Sequence, residues 1–135
     1  MSPPFLDTNV LVYAALQPDP RSDAACALLR GGGVVSVQVL NEFANVARRK
    51  LRRPWPEVRR ALAAVRALCP APWPITTATH EAALALAERT GYALYDALVL
   101  ASALEAGCDI LCSEDMQDGQ VIDGSLTIRN PFRPG

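Results

Sequence analysis

Residues 95–113 read YDALVLASALEAGCDILCS, and this stretch decides the fold class. Apolar side chains fall on nearly every side of the segment from Tyr95 to Ala106, so the helix it predicts must lie in the middle of the molecule. Gly107 stops that helix. Asp109 to Ser113 then carries the unbroken apolar run Ile110-Leu111-Cys112, the pattern of a strand covered on both faces. A helix feeding such a strand is part of a parallel-sheet unit.

The alternation extends in both directions. Phe5-Leu6-Asp7 predicts a short strand ending in a carboxylate, and Thr8 to Leu16 a helix with Val10, Leu11, Tyr13 and Ala14 at helical spacing. Pro18 and Pro20 break the chain; Ser22 or Asp23 is expected to cap a helix through Leu29, which Gly31-Gly32-Gly33 ends. Val34-Val35-Ser36 predicts the next strand. A helix from Val37 buries Leu40, Phe43, Ala44 and Ala47, turns Asn41, Glu42, Asn45, Arg48 and Arg49 the other way, and runs until Pro54. Pro56 opens a helix striped with Val58, Ala61, Leu62, Val65, Leu68 and Cys69, and Thr79 to Arg89 gives another, stopped by Gly91. Leu126-Thr127-Ile128 predicts a final strand, and the proline-rich ends read as tails. The expected class is α/β, with a mainly parallel β-sheet and helices on both faces.

A length of 135 residues allows one domain, taken as residues 1–135. Half the residues are apolar, and 13 Lys+Arg against 14 Asp+Glu give a net charge of -1, which excludes disorder and a globally basic coat. No apolar run approaches the roughly 18 residues of a membrane span, and the opening MSPPFLDTNV has no basic-then-apolar leader pattern, so no membrane association and a cytoplasmic location are expected. Cys26, Cys69, Cys108, Cys112 and the sole histidine, His80, lack metal-ligand spacing and predict no zinc site. The thiols read as small buried hydrophobes and His80 as a surface residue in the first turn of its helix.

In an open parallel sheet a ligand lies beyond the carboxyl ends of the strands, and the residues there are acidic. Asp7 ends the first strand, Glu42 lies early in the helix after the second, Glu114, Asp115 and Asp118 follow Ile110 to Cys112, and Asp96 opens the apolar helix. Each acid alone is explained as a cap, a turn or a solvated side chain. Gathered at one crevice they repel one another unless a cation is present, and oxygen ligands without His or Cys select Mg²⁺ or Mn²⁺. Such an ion activates water against a phosphodiester.

These segments resemble the PIN-domain ribonucleases, and within them the VapC-like toxins of type II toxin-antitoxin pairs. Phe5 to Tyr13 is similar to the family's opening strand and first acid, Val39-Leu40-Asn41-Glu42-Phe43 to its second motif, Tyr95 to Ala101 to the third, and Ser113 to Gly119 to the fourth. The resemblance covers nearly the whole chain and implies a single PIN-like domain acting as a Mg²⁺-dependent endoribonuclease (Mn²⁺ as the other candidate). Asp7, Glu42, Asp96 and Asp115 would be the catalytic and metal-holding acids, with Thr8, Asn9 and Ser113 orienting them. Glu114 stands where other members carry a neutral polar residue. Asp118 is therefore a second candidate for the fourth acid, ranked below Asp115 because it is expected to turn the chain with Gly119. The implied partners are an RNA substrate, a cognate antitoxin and a second copy in a homodimer.

Arg48, Arg49, Lys50, Arg52, Arg53, Arg59 and Arg60 place seven of the 13 basic residues between positions 48 and 60. Arg48, Arg49, Arg52 and Arg53 are the candidates for contact with RNA phosphates or with an acidic partner. The stripe of Val58, Leu62 and Val65 beside Trp55 exceeds what an edge helix buries and predicts a groove or interface. Two other classes remain open. Aspartate-phosphorylating phosphatases or receivers share an acid after the first strand but lack support from Asn9 and a late lysine; a non-catalytic RNA- or protein-binding module would keep the fold alone.

Overall fold

Strand β1 (Phe5–Leu6) pairs in parallel with β2 (Ile110–Cys112), matching Phe5 to Leu111 and Leu6 to Cys112. On its other edge Phe5 forms a parallel bridge with Val34, and the Leu6 N–H donates to the Val34 carbonyl at 2.9 Å. β2 in turn pairs in parallel with β4 (Leu126–Arg129), and β3 (Val121–Ile122) runs antiparallel at the outside, giving the order β1-β2-β4-β3. Consecutive residues of a strand point to opposite faces, and both Phe5 and Leu6 are 0% exposed, so both faces of the sheet are covered at β1. The computed structural model describes residues 2–133; residues 1, 134 and 135, within the expected domain 1–135 and its expected tails, lie outside the described residues.

Six α-helices surround this sheet among the described residues: α1 (Thr8–Ala15), α2 (Ser22–Arg30), α3 (Val37–Asn45), α4 (Trp55–Leu68), α5 (Thr77–Thr90) and α6 (Leu94–Glu105). In α6 every residue from Ala97 to Ala103 is buried, as its all-round apolar sequence requires, and the helix packs against α5 and β2. Helix α1 packs on α2 and α3. The sites for functional groups are therefore the loops and first helical turns that follow β1 and β2.

Several local expectations are corrected. Neither Ser22 nor Asp23 caps α2: the cap position is Arg21, without a side-chain bond, and the Ser22 hydroxyl instead donates to the Gln17 carbonyl and accepts from the Asp19 N–H. Residues 34–36 form no full strand, only bridges from Val34 to Phe5 and from Ser36 to Trp73. The long helix from Val37 is α only to Asn45 and continues as one π-turn, Val46–Lys50. Trp55 rather than Pro56 is the first residue of α4. Strand β3 carries one buried residue, Ile122, too short a pattern to read. The apolar stripe of α4 is less available than expected: Val58 and Val65 are buried and Leu62 half-buried within this chain, while Trp55 stays 56% exposed beside a groove lined by Pro56, Val58, Arg59 and Leu62.

Candidate active site

Asp7 leaves β1 in extended backbone and becomes the N-cap of α1, so the turn from strand to helix delivers its carboxylate to the sheet's carboxyl end. Its Oδ1 accepts from the Thr8 N–H at 2.8 Å and its Oδ2 from the Ser113 hydroxyl at 2.7 Å. Thr8 serves two acids, since its hydroxyl donates to Glu42 Oε2 at 3.0 Å. Ser113, at the end of β2, also accepts the Asp115 N–H at 3.2 Å, and Asn9 Nδ2 donates to Asp115 Oδ2 at 3.2 Å. Asp96 lies in the first turn of α6, where the helix dipole favours a negative charge.

Asp7, Glu42, Asp96 and Asp115 thus come from four separate segments and line one cleft of about 500 Å³, with Thr8 and Asn9 in its wall. Ser113 stands behind it, fully buried. The electrostatics record the crowding. Burial pushes the Asp7 carboxyl from 3.8 up to about 6; the bonds from Ser113 and Thr8 oppose the rise, and the charges of Glu42 and Asp96 add to it. Burial raises Glu42, against bonds from Thr8 and Gln38, and Asp96 and Asp115 raise it further. Asp96 is raised by burial and then by Asp115.

The remaining candidates separate cleanly. Asp118 does not line the cleft: it accepts the Asn130 N–H at 2.8 Å, which with Arg133 holds its carboxyl below the ordinary range. Glu114 lines the cleft but is already engaged, accepting from the Tyr13 hydroxyl at 2.9 Å and pairing with Arg21 Nε at 2.9 Å. Among the arginines, Arg53 is bound to the Leu16 carbonyl at 2.8 Å and to Glu57 at 3.4 Å. Arg48 donates to the Arg53 carbonyl at 2.9 Å and lies over the Trp55 ring. Arg49 and Arg52 are exposed and without an ion pair among the described residues. Sequence reading missed the part of Tyr13, Gln17, Asn45 and Lys50 in the cleft wall. Of these only Lys50 carried a sequence signal, its place in the basic run on the helix that bears Glu42.

Among the described residues no three carboxylate, thiol or imidazole groups stand close enough to form a ready-made coordination shell. The donor set still fits a hard divalent cation. Mg²⁺ keeps several of its waters and is held by one or two carboxylates together with substrate phosphates, so Asp7 and its neighbours offer suitable oxygens without a protein cage.

A family model described as PIN domain matches residues 5–117 of the chain. Among solved structures, Mycobacterium tuberculosis VapC20, described as a sarcin-ricin loop cleaving toxin, is similar at a TM-score of 0.65 and 21% identity, covering 82% of this chain and 88% of that chain. At that identity the likeness concerns the fold. No curated protein matches the chain.

Proposed function

The chain belongs to the PIN domain family, and from that membership together with its acidic cleft we propose that it is a Mg²⁺-dependent endoribonuclease, the toxin of a toxin-antitoxin pair. One observation carries the reading: Asp7, Glu42, Asp96 and Asp115 reach one cleft from four segments, three of them steadied by Thr8, Asn9 and Ser113. Four carboxylates gathered in one protein cleft are unfavourable without a cation. A cytoplasmic location, an RNA substrate, an antitoxin and a homodimer belong to the same reading.

When bound, the ion supplies a water activated for attack on phosphorus and neutralises charge developing on the phosphoryl oxygens. The chain's own residues provide position. Thr8 couples Asp7 to Glu42, and Ser113 couples Asp7 to Asp115, so a shift of one acid is resisted by the others. No side-chain nucleophile is needed. His80 is exposed on α5, outside the cleft, and burial raises the thiols of Cys69 and Cys108 and pushes Cys112 up to about 11, which leaves them unreactive.

The test is Asp96→Asn with single-stranded RNA and Mg²⁺. Asp96 has no ion pair to lose among the described residues, so the variant is expected to melt as the unaltered chain does while cleavage falls by roughly three orders of magnitude, the scale of a lost catalytic electrostatic contact. Full cleavage by the folded variant rejects the site. A chain that binds RNA but never cuts it, with any divalent ion, is the binding module instead.

A further inference from the structure

Lys50 is the chain's only lysine, and it lines the acidic cleft with Asp7, Glu42, Asp96 and Asp115. Its side chain is exposed and has no ion-pair partner among the described residues. No arginine shares that wall. A polyanion approaching four carboxylates therefore meets one cation inside the cleft.

The backbone that presents Lys50 is irregular for a geometric reason. Helix α3 ends at Asn45, and Val46–Lys50 forms a π-turn closed by the Leu51 N–H on the Val46 carbonyl at 3.0 Å. In an α-helix residues four apart turn through about 400°, some 40° past a full circle, so the eighth residue after Glu42 would drift about 80° from it. Yet Glu42, Val46 and Lys50 all line the cleft, and Val39, Phe43 and Ala47 are all 0% exposed on the core side. Both rows repeat every four residues. A widened turn absorbs part of the drift, keeping Ala47 in the core while Lys50 stays in line with Glu42. Arg52, at φ 55°, then ends the segment.

We propose that Lys50 is a phosphate-binding residue: its ammonium takes a non-bridging oxygen of the RNA phosphodiester seated over the acids, so that an anionic substrate can enter an anionic site. This rests on the reading that the substrate is RNA. A lysine there is a mobile point charge suited to a phosphate that must also be released.

The experiment compares Lys50→Gln and Lys50→Arg on a mixed-sequence single-stranded RNA. Cleavage is followed with Mg²⁺ in the otherwise unaltered chain, and binding against salt in the Asp96→Asn background, which holds cleavage off. Lys50→Gln is expected to raise KM roughly tenfold with a smaller change in kcat and an unchanged melt, the size of one charge-assisted contact. It should also flatten the slope of log K against log salt by about 0.7, one phosphate contact on a single strand, and Lys50→Arg should restore most of both. An unchanged KM and salt slope in Lys50→Gln overturns the proposal while leaving the nuclease reading intact. A lowered melting temperature with an unchanged slope overturns it in favour of a structural role. If the unaltered chain neither binds nor cuts RNA, the functional reading fails, and this proposal with it.

Discussion

Asp7 shows two demands meeting in one side chain. As the cap of α1 it is held by the Thr8 N–H, and in its proposed metal-holding role it would be ionised, yet it is only 4% exposed. The unfolded chain loses its proton near 3.8, the folded one near 6. Between those values the folded state holds more protons, so without divalent ions stability falls as pH rises from about 4 to about 6, and the whole penalty persists above. Two units correspond to about 3 kcal/mol as an upper limit. Asp7→Asn, whose amide oxygen can still accept from the Thr8 N–H while its NH₂ donates to the Ser113 hydroxyl oxygen, is therefore expected to be more stable than the unaltered chain at pH 7.5 in chelator and equal to it near pH 4, measured by thermal melts. Mg²⁺ should raise the melting temperature of the unaltered chain at neutral pH and not that of Asp7→Asn; saturation at 100 Kd would contribute about 2.7 kcal/mol. A variant that melts lower at both pH values would show that the carboxylate stabilises the fold. The four acids were legible because each stands just past a strand or in an early helical turn. The fate of Glu114 was not, because its partners Tyr13 and Arg21 are about a hundred positions away and only folding brings them near.

At the scale of elements, the position of β1 depends on how closely residues 33–36 approach it. A Cβ on Gly33 would stand 2.8 Å from Leu6 Cγ and 3.0 Å from the Pro4 carbonyl oxygen, and Leu6 is 0% exposed within the close-packed core. Gly33→Ala is expected to cost roughly 1–3 kcal/mol, the range for an overpacked core, read by denaturant unfolding. Because Asp7 follows Leu6 directly, cleavage should fall more than the residual folded fraction accounts for; a loss of stability without a loss of specific activity would show that β1 yields without moving Asp7. The triple glycine was readable as a helix stop, but the close approach that needs Gly33 was not, since it involves a segment 27 positions earlier in the chain. The π-turn was equally hidden. Its residues Val46-Ala47-Arg48-Arg49-Lys50 continue an amphipathic helical pattern, and only the four-residue repeat of the buried row sets it apart from a regular helix.

At the scale of the whole molecule the question is how a chain of net charge -1 would attract the RNA proposed as its substrate. Local fields decide encounter and non-specific binding, so only cations free to face the ligand count. Of the four arginines expected to do so, Arg53 joins α4 to the end of α1 through the Leu16 carbonyl, and Arg48 closes the turn on the Arg53 carbonyl. Each already donates to a backbone carbonyl, the Arg53 bond half-buried and the Arg48 bond exposed. Arg49 and Arg52 are exposed and have no ion pair among the described residues. Neutralising Arg49 and Arg52 together to Gln should leave the melt unchanged and flatten the dependence of log K on log salt by up to about 1.4, two contacts at roughly 0.7 each. Arg53→Gln should do the reverse, lowering the melting temperature by an amount corresponding to about 1–3 kcal/mol, the cost of a lost bond from a charged group, with little change in slope. The cut positions should stay the same in both, because contacts to phosphate fix register without reading bases. If the Arg49 and Arg52 pair leaves RNA binding and its salt slope untouched while Lys50→Gln alters them, the RNA backbone crosses the cleft without passing over the arginine-rich turn, and those two charges are left to face a protein partner.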